Sequence, residues 1–147
     1  MADTLNAARV RVPCSTSNLG SGYDTIGLAL NRYLEASFEP GPTGLKIFRE
    51  GSLARAEYDD ADDLVARSFA SALRSMSLEV GGTLRLTSDI PIGKGLGSSA
   101  AAILAGSDLA LAAGGRGRDD AGVFGTAYEH EGHGDNLAPC LYGGLRA

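Results

Sequence analysis

Residues 89–102 constrain this chain more than any other stretch, reading Asp-Ile-Pro-Ile-Gly-Lys-Gly-Leu-Gly-Ser-Ser-Ala-Ala-Ala. Before it, residues 83–87 alternate, with Leu84 and Leu86 on one face, the pattern of a half-buried strand. After it, Ala100, Ile103, Leu104, Ser107 and Leu111 recur at helical spacing, which predicts a helix packed along one stripe. The order is strand, glycine loop, helix. Gly93, Gly95 and Gly97 let the backbone turn sharply and let a ligand approach closely. Ser98 and Ser99 fall at the helix N-terminus, where the first amides lack partners and the dipole is positive. A phosphate is the natural guest there, and a plain tight connection is the alternative. Two known phosphate loops can be checked. A Walker loop needs Ser or Thr after its lysine, and Gly95 follows Lys94. Gly95-x-Gly97-x-x-Ala100 fits the dinucleotide fingerprint, but Asp119 and Asp120, near the required acidic position, open an expected helix instead of closing a strand.

The 147 residues suit one domain with a sizeable core. Net charge is −5 with no basic cluster, which argues against nucleic acid as a partner. No apolar run approaches the roughly 18 residues of a membrane span, and residues 1–8 carry no leader pattern. A cytoplasmic location is the expectation. Cys14 and Cys140 lack both a disulfide framework and metal spacing, so two buried thiols are expected.

Residues 9–12 alternate as a strand. Pro13 to Asp24 is a loop of small polar residues and glycine, in which Asn18 and Asp24 can make local backbone bonds. It leads into the apolar run from Ile26 to Leu30. Leu34, Ala36 and Phe38 alternate, as do Leu45 and Ile47, and residues 40–44 (Pro-Gly-Pro-Thr-Gly) lie between, which predicts a hairpin. Residues 51–60 form a polar connection. Asp59 or Asp60 is the expected cap of the next helix, with Asp62 and Asp63 in its first turn. Leu64, Val65, Phe69, Leu73 and Met76 form that helix's buried stripe. Gly81 and Gly82 turn the chain into the strand before the loop. Gly114 and Gly115 signal the end of the long helix, and Arg116 and Arg118 are expected to be solvated. A third helix is expected over 119–131, with Val123, Ala127 and Glu131 on one face beside Phe124 and Tyr128. Glu131 then needs a cation or several donors, unless the helix frays at Gly132. His130 and His133 form an H-x-x-H pair with no third zinc ligand at sensible spacing.

Pro91 to Ala101, Pro-x-x-x-Gly-Leu-Gly-Ser-Ser-Ala-Ala, resembles the second signature of the GHMP kinases, in which the loop wraps the ATP phosphates. The resemblance implies ATP contacts from Pro91, Ile92, Gly93, Lys94, Gly95, Leu96, Gly97, Ser98, Ser99, Ala100 and Ala101. Residues 12–30 resemble the first signature of homoserine kinases, with Ser21 and Tyr23 where that family usually has Pro and Phe. Residues 131–144 resemble a third stretch of the same family, with Gly134 in place of its proline. By that resemblance Asn18, Asp24 and Asn136, the last supported by Asp135, bind the amino-acid substrate. Ser99 (or Ser98) and Glu131, with Glu129 as the fallback, hold Mg²⁺. Ser98, Ser99 and Glu131 are the catalytic candidates. No residue stands out as a general base; Asp24 is near but is expected to bind the ammonium.

The implied reaction is ATP plus L-homoserine to O-phospho-L-homoserine and ADP, on the route to threonine. The implied fold is α+β, like the second domain of ribosomal protein S5: a mostly antiparallel sheet with helices packed on one side. Residues 1–147 would be the N-terminal, ATP-binding domain alone. The family's C-terminal domain is not in this chain, so a truncated product, a partial sequence or an excised domain is expected. Two alternatives stay open: another small-alcohol kinase of the superfamily, for instance one acting on threonine, and a catalytically inactive nucleotide-binding fragment. A homodimer is left open too.

Overall fold

The structure, a computed structural model, describes residues 4–16, 27–55, 59–91, 98–116 and 145–146. The elements run β1 (Ala8–Thr16), β2 (Gly27–Gly51), α1 (Leu64–Ser75), β3 (Gly81–Ser88), α2 (Ser98–Ala113) and β4 (Leu145–Arg146), with short 3-10 turns at Ser52–Arg55 and Asp60–Asp62. The expected α+β class holds. The third helix expected over 119–131 lies outside the described residues.

β1 pairs antiparallel with β2 from Ala8↔Phe38 to Pro13↔Tyr33, then slips in register before Ser15↔Ala29. Pro13 has no amide hydrogen to donate, so an irregularity is where a strand tolerates it. The strand therefore runs past the point where its loop was expected, through Cys14 and Ser15, which are fully buried.

The expected hairpin does not form. β2 bends at residues 40–44, but its two arms do not pair with each other. β3 lies between them: partners from Leu34↔Ser88 to Pro40↔Gly82 run in opposite directions, and partners from Leu45↔Gly82 to Gly51↔Ser88 run in the same direction. The order across the sheet is β1, first arm, β3, second arm, and β4 adds an antiparallel pair at Gly27 and Leu28. Alternation reports which face a residue takes and says nothing of its neighbour strand, so both readings fit the sequence equally. The bend must span two strand spacings, about 10 Å, which a tight two-residue turn cannot do. Where β3 enters, side chains have no room. A Cβ on Gly82 (φ 143°) would stand 2.2 Å from the Glu39 carbonyl oxygen, and one on Gly81 2.7 Å from that of Pro42. The pair expected to be a turn is instead the gap through which the central strand passes.

Both helices cover one face of the sheet. Leu34, Ala36, Phe38, Leu84 and Leu86 point inward to meet Val65, Phe69 and Leu73 of α1 and Leu104 and Leu109 of α2, all buried. The Phe38 and Phe69 rings stand 4.9 Å apart, tilted by 49°. The other face carries Arg9, Arg11, Glu35 and Arg85, with Arg9 paired to Glu35 at 2.7 Å and Arg11 stacked 3.6 Å over the Tyr33 ring.

α2 is buried on more than the single stripe expected. Ala100, Ala101, Ile103, Leu104, Ala105, Gly106, Ser107, Leu109, Ala110 and Ala113 are all inaccessible, because the helix is wedged between α1 and the sheet. Small residues make that approach feasible: a Cβ on Gly106 would stand 2.0 Å from Ser68 Oγ and 2.4 Å from the Val65 carbonyl oxygen of α1. The helix ends where the glycines predicted. Gly115 has φ 70°, its amide bonds to Ala112, and the Arg116 amide reaches back to Leu111 at 2.8 Å. Among the described residues no helix is long and apolar enough to cross a membrane.

Candidate functional site

The site begins where β3 ends. Ser88 and Asp89 pin the root of the glycine loop. The Ser88 side-chain oxygen accepts from the Ile90 amide at 3.0 Å, and its carbonyl accepts from the Ser52 hydroxyl at 3.2 Å. The Asp89 carboxylate accepts from the Tyr33 amide at 2.6 Å, while its own amide donates to the Tyr33 carbonyl at 3.1 Å. The loop thus leaves the middle of the sheet from a fixed base. α2 then starts at Ser98, as expected, which puts the positive end of its dipole at the serine pair.

Against this helix end lies a cavity of about 340 Å³, at the small end of ligand pockets, which span roughly 300–1,000 Å³. Ser98, Ser99 and Ala102 form one side. Leu34 and Ser88 of the sheet, with Ile90 just past the end of β3, form its floor. Leu53, from the 3-10 turn after β2, and Asp62 to Val65, at the start of α1, close the remainder. The lining is apolar except at the serines and at Asp62 and Asp63. The serines at the α2 N-terminus can donate to an anion, and Leu34, Leu53, Leu64, Val65 and Ile90 give the rest an apolar lining.

The acidic start of α1 departs from expectation. Asp63, not Asp59 or Asp60, is the cap: its Oδ1 accepts from the Ala66 amide at 2.9 Å. Residues 60–62 form a separate 3-10 turn, and Asp59 makes no side-chain cap bond. Four aspartates in five positions offered several candidates, and the one chosen is the buried one. Arg49 donates from Nε to Asp63 Oδ2 at 2.8 Å and from a terminal nitrogen to Asp60 Oδ1 at 2.8 Å. Burial works against the Arg49 charge, but the bonds to Asp63 and Asp60 outweigh it and lift its pKa above the usual arginine value. This network was missed in the sequence. The signal was present: Leu45, Ile47 and Arg49 share one face of an alternating run, so the arginine had to point inward and find an anion.

Of the residues expected to hold ATP, Pro91 is half-buried at the loop root, and Ser98 and Ser99 are half-buried on the cavity wall. Ala100 and Ala101 are fully buried, so only their backbone could serve a ligand. Ile92, Gly93, Lys94, Gly95, Leu96 and Gly97 lie outside the described residues. So do Asn18, Asp24, Asp135 and Asn136 for the substrate, Glu131 and Glu129 for the metal, and His130, His133 and Cys140. Among the described residues no cluster of three or more acidic, histidine or cysteine side chains could hold a metal ion. The serine hydroxyls at the mouth of α2 are hard oxygen donors of the kind magnesium takes.

Comparison with known proteins agrees with this geometry. Residues 63–144 match the family described as GHMP kinases N terminal domain. The chain is 38% identical over 146 residues to a homoserine kinase of Thermus thermophilus, covering 97% of this chain and 48% of that protein. It is 41% identical over 143 residues to a homoserine kinase of Streptomyces coelicolor, covering 95% and 46%. It thus spans about half the length of the curated relatives it matches. The crystal structure of homoserine kinase from Cytophaga hutchinsonii superposes with a TM-score of 0.82 at 30% identity, over 99% of this chain and 48% of that one. The mevalonate kinase of Methanococcus jannaschii, at 15% identity and a TM-score of 0.69, shares the fold. The strand and helix, the cavity at their ends and these matches agree: the chain belongs to the GHMP kinases, as a homoserine-kinase-like N-terminal domain of that family.

Proposed function

We propose that this chain binds MgATP at the mouth of α2 and serves as the nucleotide-binding half of a kinase that phosphorylates the side-chain hydroxyl of L-homoserine. The observation that carries the reading is the apolar cavity touching Ser98 and Ser99. A triphosphate seated on the helix N-terminus leaves its base and sugar beside Leu53, Leu64, Val65 and Ile90. Amides from Gly93 to Ser99 would cradle the β- and γ-phosphates. The hydroxyl of Ser99 or Ser98, with Glu131, would hold magnesium, which when bound neutralises charge on the phosphates. Asn18 and Asp24, with Asn136 supported by Asp135, would set the substrate hydroxyl in line. Catalysis then rests on positioning and charge stabilisation, without a dedicated base.

A second reading is nucleotide binding without turnover. It concerns the chain alone, which spans about half the length of the curated relatives it matches. Titration calorimetry with MgATP, followed by ADP release with homoserine and with threonine, separates the readings. Binding with homoserine-dependent ADP release supports the kinase. Binding without release retires the enzyme assignment for this chain, and faster release with threonine reassigns the substrate. Gly97→Val places a branched side chain where the loop must approach phosphate closely, and should weaken MgATP by at least about tenfold. Unchanged affinity would remove the loop from the site.

A further inference from the structure

The cavity has two walls that the sheet alone does not hold together. One is the 52–55 turn, bearing Leu53 and tied to β3 by the Ser52 hydroxyl on the Ser88 carbonyl. The other is the start of α1 with the residues leading into it, bearing Asp62, Asp63, Leu64 and Val65. Arg49 bridges them. It lies on the second arm of β2, two residues before Gly51, so it belongs to the first wall. It grips the second through Asp63 and Asp60, both at 2.8 Å.

The pair with Asp63 is withdrawn from water. Asp63 is 1% exposed and Arg49 15%. Its carboxylate is fully engaged, one oxygen on the Ala66 amide and the other on Arg49. Buried ion pairs of this sort add little net stability compared with apolar residues of the same size, so stability alone is a poor account of this one. Its location at the wall of the cavity offers a better one.

We propose that Arg49 is a positioning residue for nucleotide binding: through Asp63 it clasps the start of α1 against the 52–55 turn and sets the shape of the cavity for the nucleoside end of ATP. The inference rests on the MgATP reading above. Arg49 does not line the cavity. Removing its charge leaves the Asp63 carboxylate without a cation at an apolar wall, where it draws water or turns inward. The phosphate end depends on the glycine loop and the α2 N-terminus, whereas Arg49 bonds to Asp60 and Asp63 at the α1 end. The two ends of the ligand should therefore respond differently.

Calorimetry on the full chain and its Arg49→Met, Arg49→Lys and Asp60→Asn variants, with MgATP and separately with magnesium tripolyphosphate, tests this. Arg49→Met should lose about tenfold or more in MgATP affinity, with tripolyphosphate within about twofold of the parent. Arg49→Lys keeps the charge but loses the two-pronged grip, so it should fall between. Asp60→Asn removes only the exposed prong and keeps the buried pair, so it should lose less MgATP affinity than Arg49→Lys. Equal loss of both ligands, or MgATP affinity within about twofold in a folded Arg49→Met, overturns the clasp. If Arg49→Met does not fold, Arg49→Lys decides by the same comparison of ligands. A parent chain that binds neither ligand overturns the nucleotide reading and this inference with it; one that binds both puts the clasp alone on trial.

Discussion

Cys14 shows how a single side chain reports its surroundings. It is wholly buried on the inner face of β1, a free thiol. Burial pushes its pKa above the ordinary 9.0, more than the backbone bond from Arg32 pulls it down, and the Asp89 charge adds to the rise. A native thiol held neutral is a poor nucleophile. In a Cys140→Ala background, Cys14 should resist a disulfide reagent until the protein is unfolded in urea; rapid native labelling would contradict the burial. The raised value also has a sign. The folded state holds this proton more tightly than the unfolded state, so the contribution to stability is complete below about pH 9 and fades as pH rises through the folded value. Urea midpoints measured from neutral to alkaline pH should fall more steeply for the parent than for Cys14→Ala, and parallel slopes would count against it.

Among the elements, α1 has the most to test. Asp63 does two jobs, capping the helix and meeting Arg49. Asp63→Asn keeps an oxygen for the Ala66 amide but loses the charge, and should cost about 3 kcal/mol, the low end for breaking a buried pair because Arg49 retains Asp60. Asp63→Ala loses the cap as well, for about 1 kcal/mol more. Equilibrium urea unfolding of the two variants resolves the difference, and equal costs would deny the cap. Both helices of the described region were legible from periodicity because Leu64, Val65, Phe69 and Leu73 keep a helical stripe. The extent of α2's burial was not: a run of alanines looks the same on one wetted side as on none. The aspartate that caps was not legible either, since Asp59, Asp60, Asp62 and Asp63 differ only in what lies across from them in space. Arg49 was legible in direction, by alternation, but not in partner.

At the scale of the molecule, the strand and helix that flank the glycine loop could be read from sequence because each is contiguous and keeps its own period. The cavity beside them could not, since Leu34, Leu53, Val65 and Ile90 meet only in three dimensions. The sheet order was hidden for the same reason, and it bears on how the protein assembles. Both neighbours of β3 come from one earlier strand, and they never bond to each other. A ladder of this kind cannot grow by adding each new segment to the rim of what is already made. Residues 34–51 must wait, open between their arms, until residues 81–88 slot in, and such non-local closure is slow. The glycine loop hangs from that late-arriving strand, so recovery of nucleotide binding during refolding should coincide with recovery of the sheet signal in circular dichroism, with no earlier phase.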